Sequence, residues 1–326
     1  MKIKITGVAT YFPENVVGND YYIDHFKERG QDYTQFYENS GQDKRKIVKN
    51  DEETTLSLGI AVTQKVLAQT GLKGSDIDLI IFTSQYPEFT IPSQATLIHN
   101  AIEGKREALA FDLNANCVGM VVGFDTAMKH MTNSKCFKRA LLIGADYASK
   151  HTRDDSILYS YFGDLGCAAI LERTEEEGSI LDTVYSTITD EPHFMMFPGC
   201  GLSGIYREVH KNEKKTSLGP WKIDIGQEAI DQVEKLLSRN QLTIDDIKLI
   251  CMSQAAAQNV DRLRNHFGID ENKAPFIGNE YGYTGTSSPF LTLHEMIKKG
   301  NINRGDKLIM WSIGASFTTC GILFEY

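Results

Sequence analysis

No stretch of this chain stays apolar long enough to cross a bilayer. The first eight residues alternate isoleucine and lysine as a strand does, and the longer apolar core of a secretion signal is missing. None of the six cysteines forms a C-x-x-C pair, so a zinc knuckle is excluded and no metal site is expected. Cations are scarce: 34 Lys and Arg stand against 43 Asp and Glu, a net charge of -9. That balance argues against a nucleic-acid surface and gives no general attraction to anionic membranes. One basic stretch, Arg207 to Lys222, holds five Lys or Arg. These absences leave a cytoplasmic protein with reduced thiols as the expectation.

At 326 residues the chain can bury one large core or two joined ones, and its 41% hydrophobic and 24% charged content is ordinary for a globular protein. Its centre is the segment Phe111-Asp112-Leu113-Asn114-Ala115-Asn116-Cys117-Val118-Gly119-Met120. Ala108 to Leu113 reads as a buried strand, and Val118 to Met131 as a helix with Gly119 and Gly123 allowing close packing. A cysteine on such a strand-to-helix turn faces unpaired backbone N–H groups and the positive end of the helix dipole, which ease formation of a thiolate. Taken alone, Cys117 also fits a small buried hydrophobe. Cys117, Cys167, Cys251 and Cys320 all lie in or beside apolar, strand-like runs.

Along the chain, Lys2 to Tyr11 reads as a first strand and Thr55 to Thr70 as a helix. Ile77 to Thr83 and Arg139 to Ala145 are buried strands, Ser93 to Ile102 is a helix, and Tyr161 to Leu171 is a strand opening with Phe162-Gly163-Asp164. The acidic cluster Glu172 to Glu177 marks the end of a first half, 1–173. The second half, 174–326, opens with a strand from Ser179 to Ile188 and a long irregular stretch to Trp221. The helix Ile225 to Leu237, the strand Ile247 to Met252, the helix Asn259 to Phe267 and a Gly-rich loop, Gly278 to Gly285, come next. A helix to Lys299 and two closing strands around Gly314-Ala315-Ser316 complete it. At an offset of 170 residues Lys65, Leu67, Leu72, Asp76, Ile77, Leu79 and Ile80 match Lys235, Leu237, Leu242, Asp246, Ile247, Leu249 and Ile250. Two similar α/β halves made by internal duplication are therefore expected.

A duplicated α/β chain with this cysteine resembles the thiolase-like condensing enzymes, and most of all the β-ketoacyl-[acyl carrier protein] synthase III family. The likeness runs nearly end to end. Gly7-Val8-Ala9-Thr10-Tyr11-Phe12-Pro13-Glu14 looks like the family's opening, and Cys117-Val118-Gly119 falls at its nucleophile. Phe162-Gly163-Asp164-Leu165-Gly166-Cys167-Ala168-Ala169 is similar to its Gly-Asp-Gly-Ala signature, and Gly314-Ala315-Ser316-Phe317-Thr318 to its closing turn. The resemblance implies a five-layer α/β/α/β/α thiolase-like fold and a homodimer or a heterodimer with a paralogue. It implies acyl-CoA or acyl carrier protein as substrate and partner, with no separate cofactor. It also places an oxyanion hole at the N–H groups of Cys117 and Ala315, and a pocket residue lent across the dimer at Ile91.

The chain departs from the family at several functional positions. Ser253 stands at the family's histidine and Tyr283 at its asparagine, the two donors that hold a malonyl thioester as it decarboxylates. Ser253 and Tyr283 are candidate polar groups of the site, or a filler and a plug. His193, between Pro192 and Phe194 in the long second-half stretch, is a candidate base. His99, His130, His266 and His294 read as surface or rim residues, and Asp164 as a structural turn carboxylate. At the coenzyme A mouth the family's Trp and Arg become Gln35 and Asn39, with Phe36 and Tyr37 nearby; Gln258 replaces a docking Arg, with Arg262 and Arg264 offering a substitute. The expected activity is an acyltransferase that loads Cys117 and passes the acyl group to a carrier-bound or small nucleophile. The alternative is a silent partner subunit of an active paralogue.

Overall fold

The structure, a computed structural model, describes residues 2–50, 52–174, 180–220 and 222–326. Its continuous apolar runs become strands. Strands β1 (Lys2–Tyr11), β2 (Leu79–Thr83), β3 (Leu109–Leu113), β4 (Arg139–Asp146) and β5 (Leu165–Thr174) form one sheet in the order β1-β5-β4-β2-β3. Strands β6 (Ile180–Thr187), β7 (Ile247–Met252), β8 (Lys307–Ile313) and β9 (Thr318–Glu325) form a second in the order β7-β8-β9-β6. Every residue of β2 is buried, as a run without polar alternation requires of a strand covered on both faces. The helices that cover the sheets are α1 (Thr55–Thr70), α2 (Gln94–Ala101), α3 (Gly119–Asn133), α4 (Ile225–Arg239), α5 (Ala257–Phe267) and α6 (Ser288–Lys298).

The sheets repeat one another. From β1 through β5 and β4 to β2 the pairings run antiparallel, antiparallel, parallel, and from β6 through β9 and β8 to β7 they run the same way. Helices α1 and α4 begin 170 residues apart, at Thr55 and Ile225. The matched pairs Ile77 and Ile247, and Ile80 and Ile250, are completely buried in both copies. The matched aspartates do the same local work: Asp76 accepts the backbone N–H of Lys73, and Asp246 that of Thr243, each at 2.8 Å.

Apolar side chains sort into layers. On one face of the first sheet Leu58, Val62 and Val66 of α1 and Ile98 of α2 pack against Ile80, Phe82 and Ile143. Between the sheets lie α3 and α6, whose Met120, Phe124, Phe290 and Leu293 meet Leu142 and Ile81 on one side and Met310 and Ile322 on the other. Beyond the second sheet Ile230 and Val233 of α4 and Val260 and Leu263 of α5 pack on Ile250 and Trp311. Helix, sheet, helix, sheet, helix is the five-layer α/β/α/β/α thiolase-like arrangement, and it puts α3 at the centre of the molecule.

Phe162, Gly163 and Asp164 stand before β5 rather than inside the strand, with Phe162 in a single bridge to Tyr283. A Cβ on Gly163 would lie 2.0 Å from the carbonyl oxygen of Tyr281, so only glycine lets the halves close here. Asp164 is completely buried and accepts from Val48 N at 2.8 Å and from Ser149 N and Oγ at 3.0 and 2.6 Å, the work of a turn carboxylate. Residues 175–179, with most of the acidic cluster and the expected start of the second half's first strand, lie outside the described residues, as does Trp221. No helix among the described residues is long and apolar enough to cross a membrane.

Candidate active site

After β3 the chain turns through Asn116, whose φ of 56° lies in the left-handed region that asparagine tolerates, and Cys117 follows in the single turn Asn116–Val118 that leads into α3. Residues of the second half pin this turn. Asn116 Nδ2 donates to Ala315 O at 3.2 Å, and Ser312 Oγ to Cys117 O at 3.1 Å. Met120 N, one of the donors a helix start leaves open, donates to Thr286 Oγ1 at 2.8 Å. A Cβ at position 119 would stand 2.8 Å from the same Thr286 oxygen, which accounts for Gly119.

The side chain of Cys117 lines a cavity of about 510 Å³. Phe36, Tyr161, Phe162, Phe194, Met195 and Phe317 are part of its apolar wall, and its mouth reaches Asn39, Gln258 and Arg262 at the surface. The thiol donates to Gln85 Oε1 at 3.1 Å, and Tyr283 OH and the backbone N–H of Ala315 are directed at the sulfur. Burial pushes the Cys117 thiol up to about 11. Hydrogen bonding at the sulfur, that of Tyr283 foremost, opposes that rise, and the carboxylate of Asp146 adds to it. The helix terminus is expected to ease ionisation; at the buried sulfur, loss of water outweighs it.

Tyr283 is brought to the sulfur by backbone bonds to the Tyr161–Gly163 turn: Tyr283 N donates to Tyr161 O at 3.1 Å and Gly163 N to Tyr283 O at 3.0 Å. Ser253, buried beyond the end of β7, donates to the Tyr283 hydroxyl at 3.4 Å. Ser253, Tyr283, Cys117 and Gln85 thus form one chain of polar groups. Burial and the neighbouring Cys117 raise the Tyr283 phenol well above its ordinary value, so it stands there as a neutral donor.

His193 does not join them. It is exposed and absent from the cavity wall, because its neighbour Phe194 turns inward to stack on Phe317 at 5.0 Å. Ile91 is 88% exposed and does not line this chain's own cavity. Gln35 is exposed outside the cavity, whereas Phe36 and Asn39 line it. Tyr37 is buried and bonded to Ser160 Oγ at 2.9 Å. The arginines expected as a substitute docking patch are already engaged. Arg262 Nη1 holds both oxygens of Asp224 at 2.5 Å across the mouth, and Arg264 Nε donates to Ala274 O at 2.7 Å. Gln85 and Asp146 escaped sequence reasoning altogether, since a glutamine after a strand and an aspartate ending one carry no motif. Among the described residues no group of His, Cys, Asp and Glu side chains is arranged to hold a metal ion.

Two family descriptions match the chain: 3-oxoacyl-[acyl-carrier-protein] synthase III over residues 111–188, and the C-terminal part of the same enzyme over residues 237–326. The chain is 29% identical to the β-ketoacyl-[acyl-carrier-protein] synthase III of Clostridium beijerinckii, with 99% of each chain covered. It is 28% identical to that of Chlorobaculum tepidum, with both chains covered completely. The crystal structure of 3-oxoacyl-[acyl-carrier-protein] synthase III from Aquifex aeolicus superposes with a TM-score of 0.84 at 24% identity, covering 99% of this chain and 100% of the other.

Proposed function

The chain belongs to the 3-oxoacyl-[acyl-carrier-protein] synthase III family, and on that premise we propose that it is a condensing-type acyltransferase working through Cys117 in fatty acid or specialised, polyketide-like biosynthesis. The observation that carries this reading is a cysteine sulfur on the wall of an apolar cavity open to the surface, with the N–H of Ala315 turned toward it. The acyl donor is a thioester of acyl carrier protein or of coenzyme A. The sulfur of Cys117 attacks the thioester carbonyl, and the oxygen that becomes negative is held by the N–H groups of Cys117 and Ala315. Collapse breaks the donor's C–S bond, and the departing thiol takes the proton that Cys117 gives up. A carrier-bound or small nucleophile then accepts the acyl group and returns a free thiol. No step needs a cofactor beyond the thioester.

Decarboxylative condensation requires two aligned donors on the malonyl oxygen. Here Ser253 spends its hydrogen on Tyr283, and Tyr283 points at the sulfur. The site is therefore better suited to acyl loading and transfer than to the ordinary condensation. The same two residues favour the second reading, a partner subunit that shapes an active paralogue. Either reading calls for a second chain, and the surface offers a sheet edge for it. β3 is the edge of its sheet, paired with β2 alone, and Ile91 stands exposed where a partner's cavity would receive it.

Intact-mass analysis after mixing with acyl-CoA or acyl carrier protein tests the first reading. An acyl adduct that disappears in Cys117→Ala supports the enzyme. No adduct from either donor, with co-purification of a relative that keeps Cys, His and Asn, supports the subunit.

A further inference from the structure

Two residues outside every motif stand at the nucleophile. Gln85 follows β2 by two residues, and its buried Oε1 accepts the Cys117 thiol. The other end of its amide, Nε2, is buried without a hydrogen-bond partner. That end lies beside the carboxylate of Asp146: a Cβ on Gly285 would stand 2.6 Å from Gln85 Nε2 and 2.7 Å from Asp146 Oδ2, so both atoms close over one glycine α-carbon. Gly285 holds a φ of 55°, which keeps that side open.

Asp146, the last residue of β4, is 1% exposed. Its Oδ1 accepts from Ser84 Oγ at 2.8 Å and from the backbone N–H groups of Gln85 and Tyr86 at 2.9 and 3.3 Å. Its Oδ2 accepts from Thr286 N at 3.3 Å. The carboxylate therefore clamps the backbone of Gln85 and faces the same glycine as its Nε2, without a hydrogen bond between the two.

An amide beside a thiol acts in opposite directions according to its orientation. Its carbonyl accepts S–H and favours the neutral thiol; its N–H would donate to sulfur and favour the thiolate. A carboxylate at the far end settles the choice, since it attracts N–H and repels the carbonyl. We infer that Asp146 acts through Gln85 to hold Cys117 as a neutral thiol at rest, with Gln85 as the residue that carries the charge of one to the sulfur of the other. The other titratable groups acting on Cys117 are the phenols of Tyr86, Tyr161 and Tyr283, all raised by burial and neutral. Asp146 is raised by burial to about 6, so it carries its charge at neutral pH. This inference rests on Cys117 being the nucleophile, and its consequence is a thiol that resists stray electrophiles until a donor enters.

The test is the pH dependence of Cys117 alkylation by iodoacetamide through the cavity, read by peptide mass because the exposed Cys136 reacts too. In Gln85→Met, which keeps the bulk and loses both polar ends, the midpoint falls by roughly half a unit to one unit, the size of one lost neutral hydrogen bond. An unmoved midpoint, or one that rises, overturns the inference, because the amide would then be a donor to sulfur. Asp146→Asn lowers the midpoint too, and lowers it less when Gln85 is already Met. An equal shift in both backgrounds shows a bare charge effect and overturns the relay. If Gln85→Met does not fold, Gln85→Leu takes its place in the same cycle, with the same outcomes supporting or overturning the inference. Alkylation needs no acyl donor, so a wild-type protein that loads nothing sinks the acyltransferase reading and leaves this measurement intact.

Discussion

Thr286 Oγ1 accepts the backbone N–H of Met120 at 2.8 Å, so a side chain of the second half completes the first turn of the helix that carries the nucleophile. Thr286 N reaches Asp146 as well, joining the clamp on Gln85 to the same contact. Thr286→Val keeps the shape and leaves the Met120 N–H buried without an acceptor. A loss of about 1–3 kcal/mol in urea-unfolding stability is expected. A variant as stable as the wild type would show that the turn at Cys117 needs no support from across the halves.

Tyr283→Phe removes a hydroxyl donor from the sulfur. The alkylation midpoint of Cys117 is expected to rise by about one unit, and acyl loading at neutral pH to slow roughly tenfold. Ser253→Ala touches the sulfur only through Tyr283, at 3.4 Å, and should move the midpoint far less. Equal shifts from both variants would mean that the serine acts directly.

Restoring the family's two donors tests why the ordinary reaction is disfavoured here. Ser253→His with Tyr283→Asn is expected to increase release of carbon dioxide from a malonyl thioester, read with labelled malonyl-CoA and malonyl carrier protein. If the double variant folds and loads acyl groups yet shows no increase, the missing donors are not what limits condensation.

His151 lies flat against Tyr86, ring centres 5.2 Å apart at 11°, and burial with the nearby Lys215 and Lys150 lowers its pKa to about 4. The folded-state value lies below the unfolded one of 6.5, so the stability it contributes is present above pH 6.5 and is lost as pH falls through about 4. His151→Phe retains the stacking and removes that loss. Between pH 6.5 and 4 the stability difference should move in the variant's favour by up to about 3 kcal/mol, read by denaturant titration at each pH. Asp146 and Asp164, raised by burial to about 6 and about 7, favour the fold as pH falls; they are common to both proteins and cancel in the difference. A constant difference across this range would place the imidazole in water.

Much of the architecture was legible because it is written locally. Ile77 to Thr83 has no polar alternation, which only a strand covered on both faces accepts, and β2 is that strand. The repeat at 170 residues showed in paired core positions such as Ile77 and Ile247, because each half must bury the same strand entry beneath its helix. The turn at Cys117 was legible from small residues between a strand and a helix. His193 was misjudged because a histidine beside a phenylalanine on a loop gives no sign of which one turns inward, and Phe194 took the apolar wall. Arg262 and Arg264, expected as a substitute docking patch, give no sign in the sequence of being engaged, because their partners Asp224 and Ala274 come from other segments of the chain.

By itself the sequence determined the two similar α/β halves and the place of the cysteine between a strand and a helix, since both follow from hydrophobic runs and residue sizes within a few turns of chain. Only the tertiary structure decided what the sulfur meets. Gln85, 32 residues away along the chain and outside every motif, accepts its hydrogen, and Tyr283 turns its hydroxyl to the sulfur rather than into an open donor position. The physical reason is that a thiol's acidity depends on the water removed from it and the dipoles turned toward it, and both are set when distant segments close around one cavity.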